Sequence, residues 1–189
     1  MKYLIIFCLS TLFLFSSAQI RVEKKQAKAA FELLNKIREN PKKFKKKLDL
    51  FDLDKITRKN LVWNKDLAKV AEFRAKDMAE RDYFDHVSPE GIGVNYYIEQ
   101  AGYDLNVNWL KNKKANNFES IAWNWPTAEA GIRGLIIGKE SPGYHHRKHL
   151  LGMDEWNSSL SDIGIGFVTV KRKSGSESYL CVIIAKHDW

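Results

Sequence analysis

The hydrophobic period of this chain changes once, and that change limits its fold more than any single motif does. Ala30, Phe31, Leu34 and Ile37 recur at helical spacing, and Asn40-Pro41 ends that helix near Glu39, because the residue before proline avoids helical geometry. Asn64 is placed to cap a second helix over Lys65–Arg81, with Asp66 in its first turn and Leu67, Val70, Ala71, Ala75 and Met78 as its buried stripe. Residues 82–91 (DYFDHVSPEG) are rich in turn formers. Ser88-Pro89 is placed to cap a short third helix reaching to Gly102, the position of a C′ glycine. Thr127 after Pro126 predicts a fourth helix over Ala128–Ile137, with Glu129 near its N-terminus. The last third is different. Residues 163–170 (IGIGFVTV) and 179–185 (YLCVIIA) are strand-like, and residues 173–177 (KSGSE) form a turn-prone link, so the pair reads as an antiparallel hairpin. Helices first and strands last predict an α+β domain rather than an alternating parallel-sheet fold.

The first eighteen residues stand apart from this pattern. Lys2, an apolar run over residues 3–15 and then Ser16, Ser17 and Ala18 have the order of an export signal, and the run is too short to span a bilayer. The expectation is a signal peptide over residues 1–18 and one domain over residues 19–189, in a secreted, periplasmic or cell-envelope protein. Removing the signal takes away Cys8 and leaves Cys181 alone, so the mature chain has no internal disulfide to form. Cys181 lies in an apolar strand-like run, where a buried free thiol is expected.

The formal charge of +8 is concentrated in residues 42–47 (KKFKKK), 111–114 (KNKK) and 171–173 (KRK). Such runs give weak attraction to an anionic envelope surface. No nucleic-acid partner is expected, because no aromatic residues alternate with the lysines as a stacking platform requires. Metalloprotease HExxH, phosphate-binding glycine loop, GxSxG and CxxC motifs are all absent.

Chemistry therefore rests on five histidines, His86, His145, His146, His149 and His187. Each needs a second group to orient it, and Glu119, Glu140 and Ser88 are the candidate partners. His145 and His149 are four apart and His146 and His149 three apart, spacings that bring either pair to one side of a helical turn. His187 reads as solvent-facing. Ser88 beside His86 suggests a serine hydrolase, but nothing in the sequence supplies an oxyanion site.

Residues 84–91 (FDHVSPEG), 100–103 (QAGY), 118–122 (FESIA) and 146–151 (HRKHLL), in that order, resemble the CAP superfamily of cysteine-rich secretory proteins, antigen 5 and pathogenesis-related proteins, which has many bacterial secreted members. Residues 34–41 (LNKIRENP), 61–64 (LVWN) and 163–167 (IGIGF) extend the resemblance across residues 27–189. It implies an α-β-α sandwich with a central antiparallel sheet flanked by helices, and a cleft lined by paired histidines and acidic residues. By the same resemblance His86 and His146 are the cleft histidines and Glu119 the cleft glutamate, and relatives bind a divalent metal there. His149 departs from the family pattern, which has asparagine at that place. The family's second glutamate has no clear match, Glu140 being nearest and Glu129 next. The tryptophan often found on that helix and the disulfides of eukaryotic members are missing.

Two neutral imidazoles and a carboxylate form an open zinc set, whereas calcium wants more oxygen ligands. The expected metal ligands are thus His86, Glu119 and His146, with Glu140 and His149 as additions, and zinc ahead of calcium. The alternative is that His86, His146 and Glu119 only brace the cleft. The expected function is a monomeric secreted binding module for a metal and a small-molecule, lipid or glycan ligand. A metal-assisted hydrolase or protease using Glu119, and a basic envelope-associated adhesive protein, are the competing readings.

Overall fold

Asn64 accepts hydrogen bonds from the Asp66 and Leu67 N–H groups, two donors that the first turn of a helix leaves without intrahelical partners, and the helix it starts runs over Lys65–Arg81 as predicted. The computed structural model describes residues 19–139 and 141–187; the expected signal peptide and Glu140 lie outside the described residues. In chain order the elements are β1 (Gln19–Val22), α1 (Lys24–Glu39), α2 (Pro41–Phe44), β2 (Val62–Trp63), α3 (Lys65–Arg81), α4 (Val94–Gln100), β3 (Glu119–Trp123), α5 (Ala128–Ile137), α6 (His145–Leu151), α7 (Glu155–Ser159), β4 (Asp162–Arg172) and β5 (Gly175–Ala185). Single 3₁₀ turns occupy Val107–Leu110 and Pro142–Tyr144.

The strands form a sheet in the order β1-β4-β5-β3, antiparallel throughout, and the two residues of β2 add a short parallel pairing to the start of β4. Helix α3 covers one face. Gly164 and Gly166 of β4 permit this, because a Cβ on them would lie 2.1 Å from the Leu67 backbone and 2.2 Å from the Ala71 carbonyl. Gly166 pairs with Cys181, so the next residue of β5, Leu180, points to the other face, where it meets Gly131 of α5. Helix α1 packs beside α5 and on β4, completing the second layer, and α6 rests against α5. The α+β class and the antiparallel sheet between helices are as expected. The core between the layers includes the fully buried Leu34, Ile37, Met78, Phe167 and Ile184, and each such side chain contributes about 1.5–3 kcal/mol of burial. Cys181 is buried and free.

Three local readings change. The third helix begins at Val94 rather than after Ser88-Pro89, because Ser88 closes a turn through Gly91, whose φ of +79° no helix accepts, and Val87 bridges to Gly93. The hairpin link shrinks to residues 173 and 174, with Arg172 paired to Gly175. Residues 119–123 form an edge strand not foreseen in the sequence, since four of the five are buried and no polar-apolar alternation marks them.

Candidate functional site

Strand β3 builds the site by alternation: Glu119 and Ser120 are neighbours, so their side chains leave the sheet on opposite faces. Glu119 goes to the α3 side. There Arg74 Nε donates to its Oε1 at 3.0 Å, the Cys181 thiol donates to the same oxygen at 3.3 Å, and Oε2 accepts from His86 Nδ1 at 2.9 Å. Arg74 and Glu119 side chains are both fully buried. Burial works against the Arg74 charge, but the carboxylate outweighs it and holds the guanidinium above its ordinary value. Burial first, and then the same carboxylate, push the Cys181 thiol well up. Arg74 Nη2 also donates to the Asp85 carbonyl, and Nη1 to the Tyr83 hydroxyl, so one arginine holds both the partner of His86 and the loop that carries it.

Ser120 goes to the other face, where Oγ sits 2.7 Å from His149 Nδ1 and 3.0 Å from His146 Nδ1. Both rings come from α6, three residues apart, so they share one side of the helix. Burial pushes His149 down to about 4, against a raising contribution from the Ile184 carbonyl. His146 is also lowered, first by burial and then by the nearby His86 and His145. At neutral pH both are neutral imidazoles.

His86 and His146 thus approach the edge strand from opposite layers, and their ring centroids are 6.2 Å apart. Each has Nδ1 engaged, which leaves Nε2 for the cleft. His86 and His146 are the residues that would hold a divalent ion here, each as a neutral imidazole. A water or ligand would complete such a site. Glu119 stands behind His86 with both oxygens taken, the usual place of a carboxylate that orients a metal-binding histidine. With that carboxylate sealed, the donors left to the cleft are two imidazole nitrogens, which do not match calcium's preference for oxygen. Among the described residues no group of three or more His, Cys, Asp or Glu is placed to hold a metal ion.

Beside His146 opens a cavity of about 440 Å³ lined by Phe84, Trp123, Trp125, Leu135 and Lys139. Phe84 and Trp123 lie 6.4 Å apart at its wall and are each nearly half exposed. Gly134 lets Trp125 lie flat on α5, since a Cβ there would come within 2.3 Å of the indole.

The structure brings together His86, Glu119 and His146. His149 joins them through Ser120, while His145, at the first residue of α6, stays exposed. Glu129 is partly exposed and pairs with Arg133, away from the cleft. His187 stacks on Tyr103 at 4.0 Å and donates to the Asp104 carbonyl. Ser88 is buried in its turn, its hydroxyl accepting from the Ile92 N–H. The sequence reading missed Arg74 and Ser120. Arg74 sits four residues from both Val70 and Met78, on the predicted buried stripe, which was its signal. Nothing marked Ser120 without the strand.

Residues 31–184 match the CAP family model, described as the cysteine-rich secretory protein family. A curated relative, the uncharacterized membrane protein YlbC of Bacillus subtilis (strain 168), is 30% identical over 120 residues, 64% of this chain and 28% of that protein. An extracellular protein containing a SCP domain from Bacillus anthracis str. Ames superposes with a TM-score of 0.54 at 21% identity, covering 87% of this chain and 41% of that one. The chain therefore spans less than half the length of either, and the second likeness is one of fold. No helix among the described residues is long and apolar enough to cross a membrane.

Proposed function

This chain belongs to the CAP family of cysteine-rich secretory proteins, and on that premise we propose that it is an extracellular binding module. In this reading His86 and His146 hold a divalent cation, zinc ahead of calcium, at the mouth of the aromatic cavity, where a small or lipid-like ligand binds without being turned over. The observation that carries the reading is the pair of imidazoles 6.2 Å apart, each with Nδ1 occupied and Nε2 left to the cleft. When bound, the ion acts as a Lewis acid that holds an oxygen or nitrogen of the ligand. Glu119 fixes the His86 ring and, neutralised by Arg74, serves as its anchor rather than as a base on substrate. Phe84, Trp123 and Trp125 offer flat apolar faces to a ring or chain, and Lys139 places a cation at the same cavity.

The leader-like N-terminus and the extracellular description of the Bacillus anthracis protein support placement outside the cytoplasm. There the lysines at positions 42, 43, 45, 46 and 47, all exposed, give salt-sensitive attraction to an anionic envelope. Calorimetric titration of Zn²⁺ and Ca²⁺ tests the metal reading. Zinc should bind more tightly than calcium, and His86→Ala and His146→Ala should each weaken it at least tenfold with the fold retained by circular dichroism. Zinc affinity unchanged in both variants overturns it.

A further inference from the structure

Ser120 has one hydroxyl proton and two ring nitrogens beside it, His149 Nδ1 at 2.7 Å and His146 Nδ1 at 3.0 Å. It can donate to only one of them, so the other contact is donated by a ring N–H. The two rings therefore cannot choose their tautomers independently.

The lengths of the two contacts decide the direction. The 2.7 Å contact to His149 Nδ1 has the length of a hydroxyl donating its proton, and the 3.0 Å contact to His146 Nδ1 has that of a ring N–H donating to the hydroxyl oxygen. His149 consequently keeps its proton on Nε2 and accepts at Nδ1. Ser120 then donates to His149, and its oxygen accepts from His146 Nδ1–H. The last group in the chain, His146 Nε2, is left as a lone pair.

We propose that Ser120 and His149 act as positioning residues that lock His146 in its Nδ1–H tautomer and so present a bare Nε2 to the cleft. On the opposite face of β3, Glu119 does the same for His86, since a carboxylate can only accept and Nδ1 must carry the proton. The two cleft rings are thus set alike by different devices, a buried ion pair on one side and a hydroxyl-bridged second imidazole on the other. The proposal rests on the His86–His146 cleft reading for its use, but the tautomer itself exists without metal.

Long-range ¹H–¹⁵N correlation on the metal-free, ¹⁵N-histidine-labelled protein, at a pH where the rings are neutral, reads the tautomers directly. His146 should show Nδ1–H and His149 Nε2–H. His149→Leu and Ser120→Ala should each abolish the His146 preference. His149→Asn should keep it, because the amide oxygen falls where Nδ1 sits and can accept the Ser120 proton. A predominant Nε2–H form of His146 in the parent protein overturns the proposal, as does an unchanged preference in both His149→Leu and Ser120→Ala. Loss in His149→Asn also overturns it, by showing that packing rather than the hydrogen bond sets the ring. Zinc titration of the same samples should show binding about tenfold weaker in His149→Leu. If zinc fails to bind the parent protein while His146 has the expected tautomer, the metal reading falls and the positioning role stands.

Discussion

Mild acid should destabilise this protein before its carboxylates protonate, and the cause is His149. Burial lowers that imidazole from the ordinary 6.5 to about 4, so the folded state resists the proton that the unfolded state accepts. The contribution is full above pH 6.5, declines as pH falls, and is exhausted near pH 4, where the folded form also takes the proton. A shift of this size corresponds to about 3 kcal/mol, at about 1.4 kcal/mol per unit. Between pH 7.5 and pH 5 the loss is about 2 kcal/mol, equivalent to about 4–8 °C in Tm for a chain of this length. His146, also lowered, adds in the same direction. Urea unfolding followed by circular dichroism at the two pH values measures the drop, and His149→Leu should remove most of it. A parent drop below about 0.5 kcal/mol, or an equal drop in the variant, refutes the assignment of the acid sensitivity to this ring.

Other expectations concern the frame around the cleft. Arg74→Met leaves the Glu119 carboxylate buried without its cation and should cost about 3–5 kcal/mol in urea unfolding, with part recovered in the Arg74→Met/Glu119→Gln double variant. Gly166→Ala places a Cβ 2.2 Å from the Ala71 carbonyl and forces α3 off the sheet, so a loss of about 1–3 kcal/mol is expected in the same assay. The Cys181 thiol, buried and with its pKa raised, should resist a thiol reagent in the native protein and react at the rate of unfolding. Rapid stoichiometric labelling under native conditions would contradict its placement.

How far the site was legible depends on which signal each residue carries. His86 and His146 could be named from the chain because imidazoles in turn-rich segments with a family-like order are rare and chemically pointed. Glu119 could be named too, but its place behind His86 depends on Arg74 and Cys181, which lie 45 and 62 residues away in sequence. Ser120 carried no signal, because a serine is ordinary and its strand shows no alternation. His149 was visible as a departure from the family pattern, but its burial beneath the cleft was not. The early start expected for the third helix was wrong because Ser-Pro is a helix cap only when the backbone that follows stays helical, and Gly91 takes it elsewhere.

By itself the sequence determined the α+β order, the cap and extent of α3, the helix α5 and the long hairpin. These follow from local period and capping chemistry, and from glycine positions that pattern alone can locate. The tertiary structure decided which residues share a cleft. Alternation along β3 sends Glu119 to the layer that carries Arg74 and Ser120 to the layer that carries α6, so the two cleft histidines arrive from opposite sides of one edge strand. No local pattern encodes that meeting, because it is set by strand pairing between residues about 60 positions apart, such as Ser120 with Val182.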